Sequence, residues 1–128
     1  MPITRLDHCA LLTQDAVATA EFYGSILGLE QGPRPNFSVP GAWLYCAGNP
    51  VLHVVEKSAM PCGTGPLDHM AFSGFGLADV VKRLKARGVA LELRRLPEMP
   101  SDGGTWQLFF RDPNGARVEI DFAGSEQP

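Results

Sequence analysis

Leu6-Asp7-His8-Cys9-Ala10-Leu11 returns, half a chain later, as Leu67-Asp68-His69-Met70-Ala71-Phe72. In a chain of 128 residues, a pattern repeated at half the length sets the architecture before local propensity does. Both copies place a histidine inside an apolar run that reads as a buried strand. One such histidine is equally a core residue with satisfied ring nitrogens. Two at equivalent places in two halves point to a shared site.

The rest of the chain follows the same duplication. Residues 4–11 form a first strand, and Thr13-Gln14-Asp15 offers side-chain oxygens to cap a helix. Ala16, Ala20, Tyr23 and Leu27 then make one amphipathic stripe, closed by Gly28. Leu29 to Pro35 is a weak edge strand or loop, and Phe37 to Pro40 a loop. Ala42–Ala47 and Val51–Glu56 read as strands joined by a turn at Gly48-Asn49-Pro50. After a linker at 58–65, Leu67–Ser73 is a strand and Leu77, Val80, Val81 and Leu84 mark a helix ended by Gly88. Val89–Leu96 is the next strand, and Pro97–Gly104 a loop. Trp106–Arg111 and Arg117–Phe122 form a hairpin around Asp112-Pro113-Asn114-Gly115, with a frayed tail from Ala123. The expectation is one domain, 1–128, with module 1 over about 4–57 and module 2 over about 66–123. Each module reads strand, helix, strand, strand, strand. A helix covers one face of such a sheet, which leaves the other face to its sister.

Composition narrows the function classes. A net charge of −3 with 20% charged residues gives no electrostatic reason to expect nucleic acid or an anionic membrane. No stretch approaches the roughly 20 apolar residues of a membrane helix, and no signal peptide is visible. Cys9, Cys46 and Cys62 are odd in number and form no Cys-x-x-Cys pair, so a reducing cytoplasm is the expected compartment. Cys9 and Cys46 read as small core fillers.

The closing strand separates its faces. Val118, Ile120 and Phe122 alternate with Arg117, Glu119 and Asp121, so an apolar set turned to the helix sends Glu119 to the opposite face. Laying Leu44-Tyr45-Cys46 on Leu108-Phe109-Phe110 and Leu52-His53-Val54 on Val118-Glu119-Ile120 matches His53 to Glu119. The repeat thus pairs His8 with His69 and His53 with Glu119, all expected at mid-strand positions. Imidazoles and a carboxylate meeting on one face suit a divalent cation such as Fe, Mn, Co, Ni or Zn. By pattern alone Glu119 is equally a solvated carboxylate of an edge hairpin. Asp7 and Asp68 are expected to hold backbone or a histidine ring proton.

With Glu21-Phe22-Tyr23 before Leu27-Gly28-Leu29, and Phe110-Arg111-Asp112-Pro113-Asn114-Gly115 before Glu119, the chain resembles the vicinal oxygen chelate superfamily over about residues 4–122. That is the group of glyoxalase I, extradiol dioxygenases, epimerases, fosfomycin-resistance transferases and bleomycin-binding proteins. The resemblance implies an α+β fold in which two β-α-β-β-β modules form a curved, mostly antiparallel open barrel around a metal and substrate cavity. It implies His8, His69 and Glu119 as metal ligands, with His53 at the fourth position as a ligand or the partner base to a catalytic Glu119. It also implies a homodimer and a small-molecule substrate.

The expected activity is that of a divalent-metal-dependent lyase or isomerase of glyoxalase type. Phe37, Trp43, Tyr45, Trp106, Phe109 and Arg111 are the candidates to line its cavity. The alternatives are a metal-dependent dioxygenase and a metal-free binding protein of the bleomycin-resistance kind. Ring cleavage is disfavoured because Phe109 stands where that group places tyrosine. The four candidate ligands count against the binding protein.

Overall fold

The computed structural model describes residues 5–61, 63–96 and 103–128. The chain divides into two compact units, Met1–Pro61 and Cys62–Pro128, with the boundary inside the expected linker. Unit 1 holds β1 (Cys9–Thr13), α1 (Ala16–Leu27), β2 (Glu30–Gly32), β3 (Gly41–Cys46) and β4 (Asn49–Glu56). Unit 2 repeats the order with β5 (Met70–Ser73), α2 (Leu77–Ala86), β6 (Leu91–Leu96), β7 (Thr105–Arg111) and β8 (Arg117–Ala123). Each unit is a four-stranded mixed sheet, ordered β1-β4-β3-β2 and β5-β8-β7-β6. The first and last strands of each module pair in parallel and the other neighbours antiparallel. The fold is α+β with paired β-α-β-β-β modules, as the repeat implied.

The helices form where their ends can be satisfied. Asp15, at φ −143°, accepts from the Ala18 amide, and Gly28, at φ 72°, returns its amide to the carbonyls of Gly24 and Tyr23. The buried stripe of α1 runs through Ala16, Thr19, Phe22, Tyr23 and Ile26, not through the expected Ala20 and Leu27. Thr19 lies in that stripe because its hydroxyl meets the Thr13 hydroxyl at 2.9 Å, a buried polar pair that apolar periodicity does not register. On α2, Leu77, Val80, Val81 and Leu84 are buried as expected.

Several boundaries differ from expectation for local reasons. His8 and His69 lie immediately before β1 and β5, not at mid-strand, and Leu6 and Leu67 are 84% and 73% exposed. The Asp7 and Asp68 carboxylates each bond the ring of the histidine that follows. The first hairpin turns at Ala47 and Gly48, both at positive φ (49° and 80°), and Asn49 and Pro50 belong to β4. Two consecutive left-handed residues make the tight turn whose twist matches that of the strands. Consequently Trp43 lies opposite His53, as Phe109 lies opposite Glu119. Trp43, not Tyr45, is therefore the counterpart of Phe109. Cys46 is exposed and Cys9 half-buried, so Cys46 fills no core. Residue 4, Cys62 and residues 97–102 of the expected loop lie outside the described residues.

The tail is docked rather than frayed. Glu126 accepts from the amides of Gly76 (2.9 Å) and Leu77 (2.6 Å), capping α2, whose own N-cap Gly76 has no side chain to do so. The Glu126 carbonyl in turn accepts from the Trp106 indole at 2.9 Å. Among the described residues no helix is long and apolar enough to cross a membrane. Glu126→Ala is expected to destabilise unit 2 by about 1 kcal/mol in urea denaturation, and Glu126→Gln by less, since it keeps an acceptor.

Candidate functional site

The parallel ladder has the same register in both modules. Cys9 pairs with Leu52 and Ala10 with His53; Met70 pairs with Val118 and Ala71 with Glu119. His8 thus stands to His53 as His69 stands to Glu119, each histidine one residue ahead of a strand and its partner in the middle of the neighbouring strand. The sequence equivalence of these four positions is met within each module.

In unit 1 the pair is part of an aromatic column. The rings of His8 and His53 stack at 3.7 Å with 15° between planes, and His53 stacks on Trp43 at 3.9 Å and 8°. Phe37 leans on Trp43 at 6.4 Å, under the Arg34 guanidinium. His8 Nδ1 lies 2.8 Å from Asp7 Oδ2, and Asp7 also holds Arg5. Burial, and then the neighbouring His8, hold the His53 ring below the usual imidazole range. His53 Nε2 is buried without a hydrogen-bond partner among the described residues. A buried nitrogen left so costs stability unless another group takes its lone pair.

In unit 2 the pair is already joined. His69 Nε2 lies 2.6 Å from Glu119 Oε2, and His69 Nδ1 lies 2.7 Å from Asp68 Oδ2. Arg117 braces Asp68 at 2.9 Å. The His69 hydrogen bond, and then Arg117, hold the Asp68 carboxyl below its ordinary value. Glu119 is 5% exposed, so it is no solvated rim carboxylate. Its second oxygen, Oε1, accepts from Gln107 at 2.6 Å. Phe109 meets His69 edge-on at 5.9 Å and carries two guanidiniums over its ring, Arg117 at 4.5 Å and Arg94 at 5.0 Å.

Other expected cavity residues stand elsewhere. Trp106 is opposite Phe122, on the face of Leu108 and Phe110 and away from Glu119. Arg111 donates to the Gly115 carbonyl at 2.7 Å and clamps its own turn. Tyr45 covers Gly32 and donates to the Pro33 carbonyl. Sequence reasoning missed Gln107, Arg94 and the work of Arg117 and Asp121. The alternation that singled out Glu119 already set Arg117 and Asp121 on its face.

Asp7 and Asp68 leave the two Nε2 atoms as the outward ring nitrogens, which is how carboxylates present imidazoles to metals. Imidazole nitrogen with one carboxylate is a donor set for a borderline divalent cation, and the unpartnered His53 Nε2 fits it. Among the described residues no three His, Cys, Asp or Glu side chains gather as a cation site, so the donors stand as two pairs.

Asp121 adds a titratable neighbour. Burial first, then the hydrogen bond and charge of Glu119, push its carboxyl up to about 6 from 3.8. A carboxyl raised in the folded state stabilises the fold while protonated. That contribution is whole below 3.8 and lost as pH rises through about 6. In metal-free protein Asp121→Asn is therefore expected to flatten the fall in urea midpoint over this window. An unchanged slope would assign the titration elsewhere.

A sequence profile of the Glyoxalase/Bleomycin resistance protein/Dioxygenase superfamily matches residues 5–120. A protein named Glyoxylase I 4 from Arabidopsis thaliana is 32% identical over 126 residues, covering 92% of this chain and 70% of the relative. Among solved structures, a glyoxylase/bleomycin resistance protein/dioxygenase domain from Frankia sp. superposes with a TM-score of 0.74 at 23% identity, covering 94% of this chain and 98% of the other. A fosfomycin resistance protein from Listeria monocytogenes superposes with a TM-score of 0.69 at 22% identity, covering 92% and 90%.

Proposed function

We propose, because this chain belongs to the Glyoxalase/Bleomycin resistance protein/Dioxygenase superfamily, that it is a divalent-metal-dependent lyase or isomerase of glyoxalase type acting on a small oxygenated substrate. The observation that carries the reading is the shared register, which gives His8–His53 and His69–Glu119 one relation in both modules. In this reading the residues of both pairs are ligands for a divalent cation (Fe, Mn, Co, Ni or Zn) in a homodimeric protein. Such a cation, when bound, supplies Lewis acidity toward a substrate oxygen.

The protein's own groups do the rest. Asp7 and Asp68 fix the rings of His8 and His69 through Nδ1. Glu119, nearly buried and therefore poorly hydrated, accepts the proton beside the substrate carbonyl through Oε2. His53 acts as a base or as a ligand. Phe109 and Trp43, each directly opposite one of these two residues, supply apolar surface that limits the access of water.

Protein prepared without chelators is expected to carry about one divalent ion per chain by elemental analysis. It is expected to isomerise hemithioacetals, and Glu119→Gln to lower kcat by about 100-fold or more. Oxygen uptake with catechols, or protein that binds no divalent ion, would overturn the proposal.

A further inference from the structure

We infer that Gln107 is a positioning residue for Glu119, deciding which carboxylate oxygen stands beside His69. The inference rests on the reading of Glu119 as ligand and proton acceptor. Gln107 Nε2 donates to Glu119 Oε1 at 2.6 Å, while His69 Nε2 lies 2.6 Å from Oε2. The two oxygens are thereby distinguished, one held by an amide and one presented to the imidazole. Gln107 also lies directly across the ladder from Asp121, so the one amide stands beside both acids.

The residue type suits the task. Glu119 is 5% exposed, so water does not replace a lost donor at Oε1, and an unheld carboxylate is free to turn about its terminal torsion. A lysine or arginine here would hold the carboxylate but lower its basicity with a full charge. An amide orients it without that charge. Module 1 has no such device. With Trp43 matched to Phe109, the place of Gln107 falls to Gly41, where even a Cβ would stand 2.2 Å from the Val54 carbonyl oxygen. The fork is confined to the half that carries the acid.

The test is a Co(II) titration by calorimetry of the full-length metal-free protein. Gln107→Met, matched in volume, is expected to weaken Co(II) binding by about 10- to 100-fold. Gln107→Glu, which keeps the shape but offers no donor to an ionised Glu119, is expected to do the same and covers a failure of the first variant to fold. In a Glu119→Gln background the substitution is expected to change affinity by less than about 2-fold, because the effect passes through the Glu119 carboxylate. Equal affinity of wild type and variant, or the same loss in both backgrounds, would overturn the inference. Failure of the wild type to bind Co(II) would instead overturn the metal-dependent reading on which it rests.

Discussion

Parallel pairing of the first and last strand in each module is the constraint on which the rest depends. It forces the chain to travel through a helix and two antiparallel strands before returning beside its own start. That return sets residues nearly a whole module apart, His8 and His53 or His69 and Glu119, beside one another. One ladder register, used twice, is enough to define both pairs. The Asp-His dipeptide at each strand entrance then orients the ring from the side its neighbour does not use.

The two pairs are chemically unlike despite their common frame. In the first module the matched position on the last strand carries an imidazole, and dispersion between parallel rings holds it against His8 and Trp43. In the second it carries a carboxylate, held by charge-assisted hydrogen bonds to His69 and Gln107. Stacking fixes a plane but leaves a nitrogen unengaged; in the second module His69 and Gln107 together engage both carboxylate oxygens. Duplication supplied the geometry, and divergence at one strand position divided the roles.

Much of this was legible in the amino acids. The helix of Leu77, Val80, Val81 and Leu84 and the alternation about Glu119 each reflect burial on one face, which sequence periodicity records, while the repeated Leu-Asp-His marks two matching strand entrances. What escaped depends on partners distant in sequence. Thr19 is buried because Thr13 answers it, and Glu126 is ordered because α2 begins with a glycine. The slip that matched Tyr45 to Phe109 came from counting Asn49 and Pro50 into a turn that two left-handed residues, Ala47 and Gly48, make alone. Gln107 carried no signal beyond its parity with Phe109. A neutral amide announces no chemistry until its carboxylate is beside it.

The Glu126 cap has a further consequence for how the second half opens. Its carboxylate joins residues fifty positions apart, Gly76 and Glu126, and so ties the span between them into a loop without a covalent bond. Fraying of the helix start and peeling of the carboxyl terminus thereby become a single event. Amide protons at the head of α2 then exchange with solvent at the pace of the tail's detachment, and trimming a few terminal residues loosens a helix far upstream of the cut.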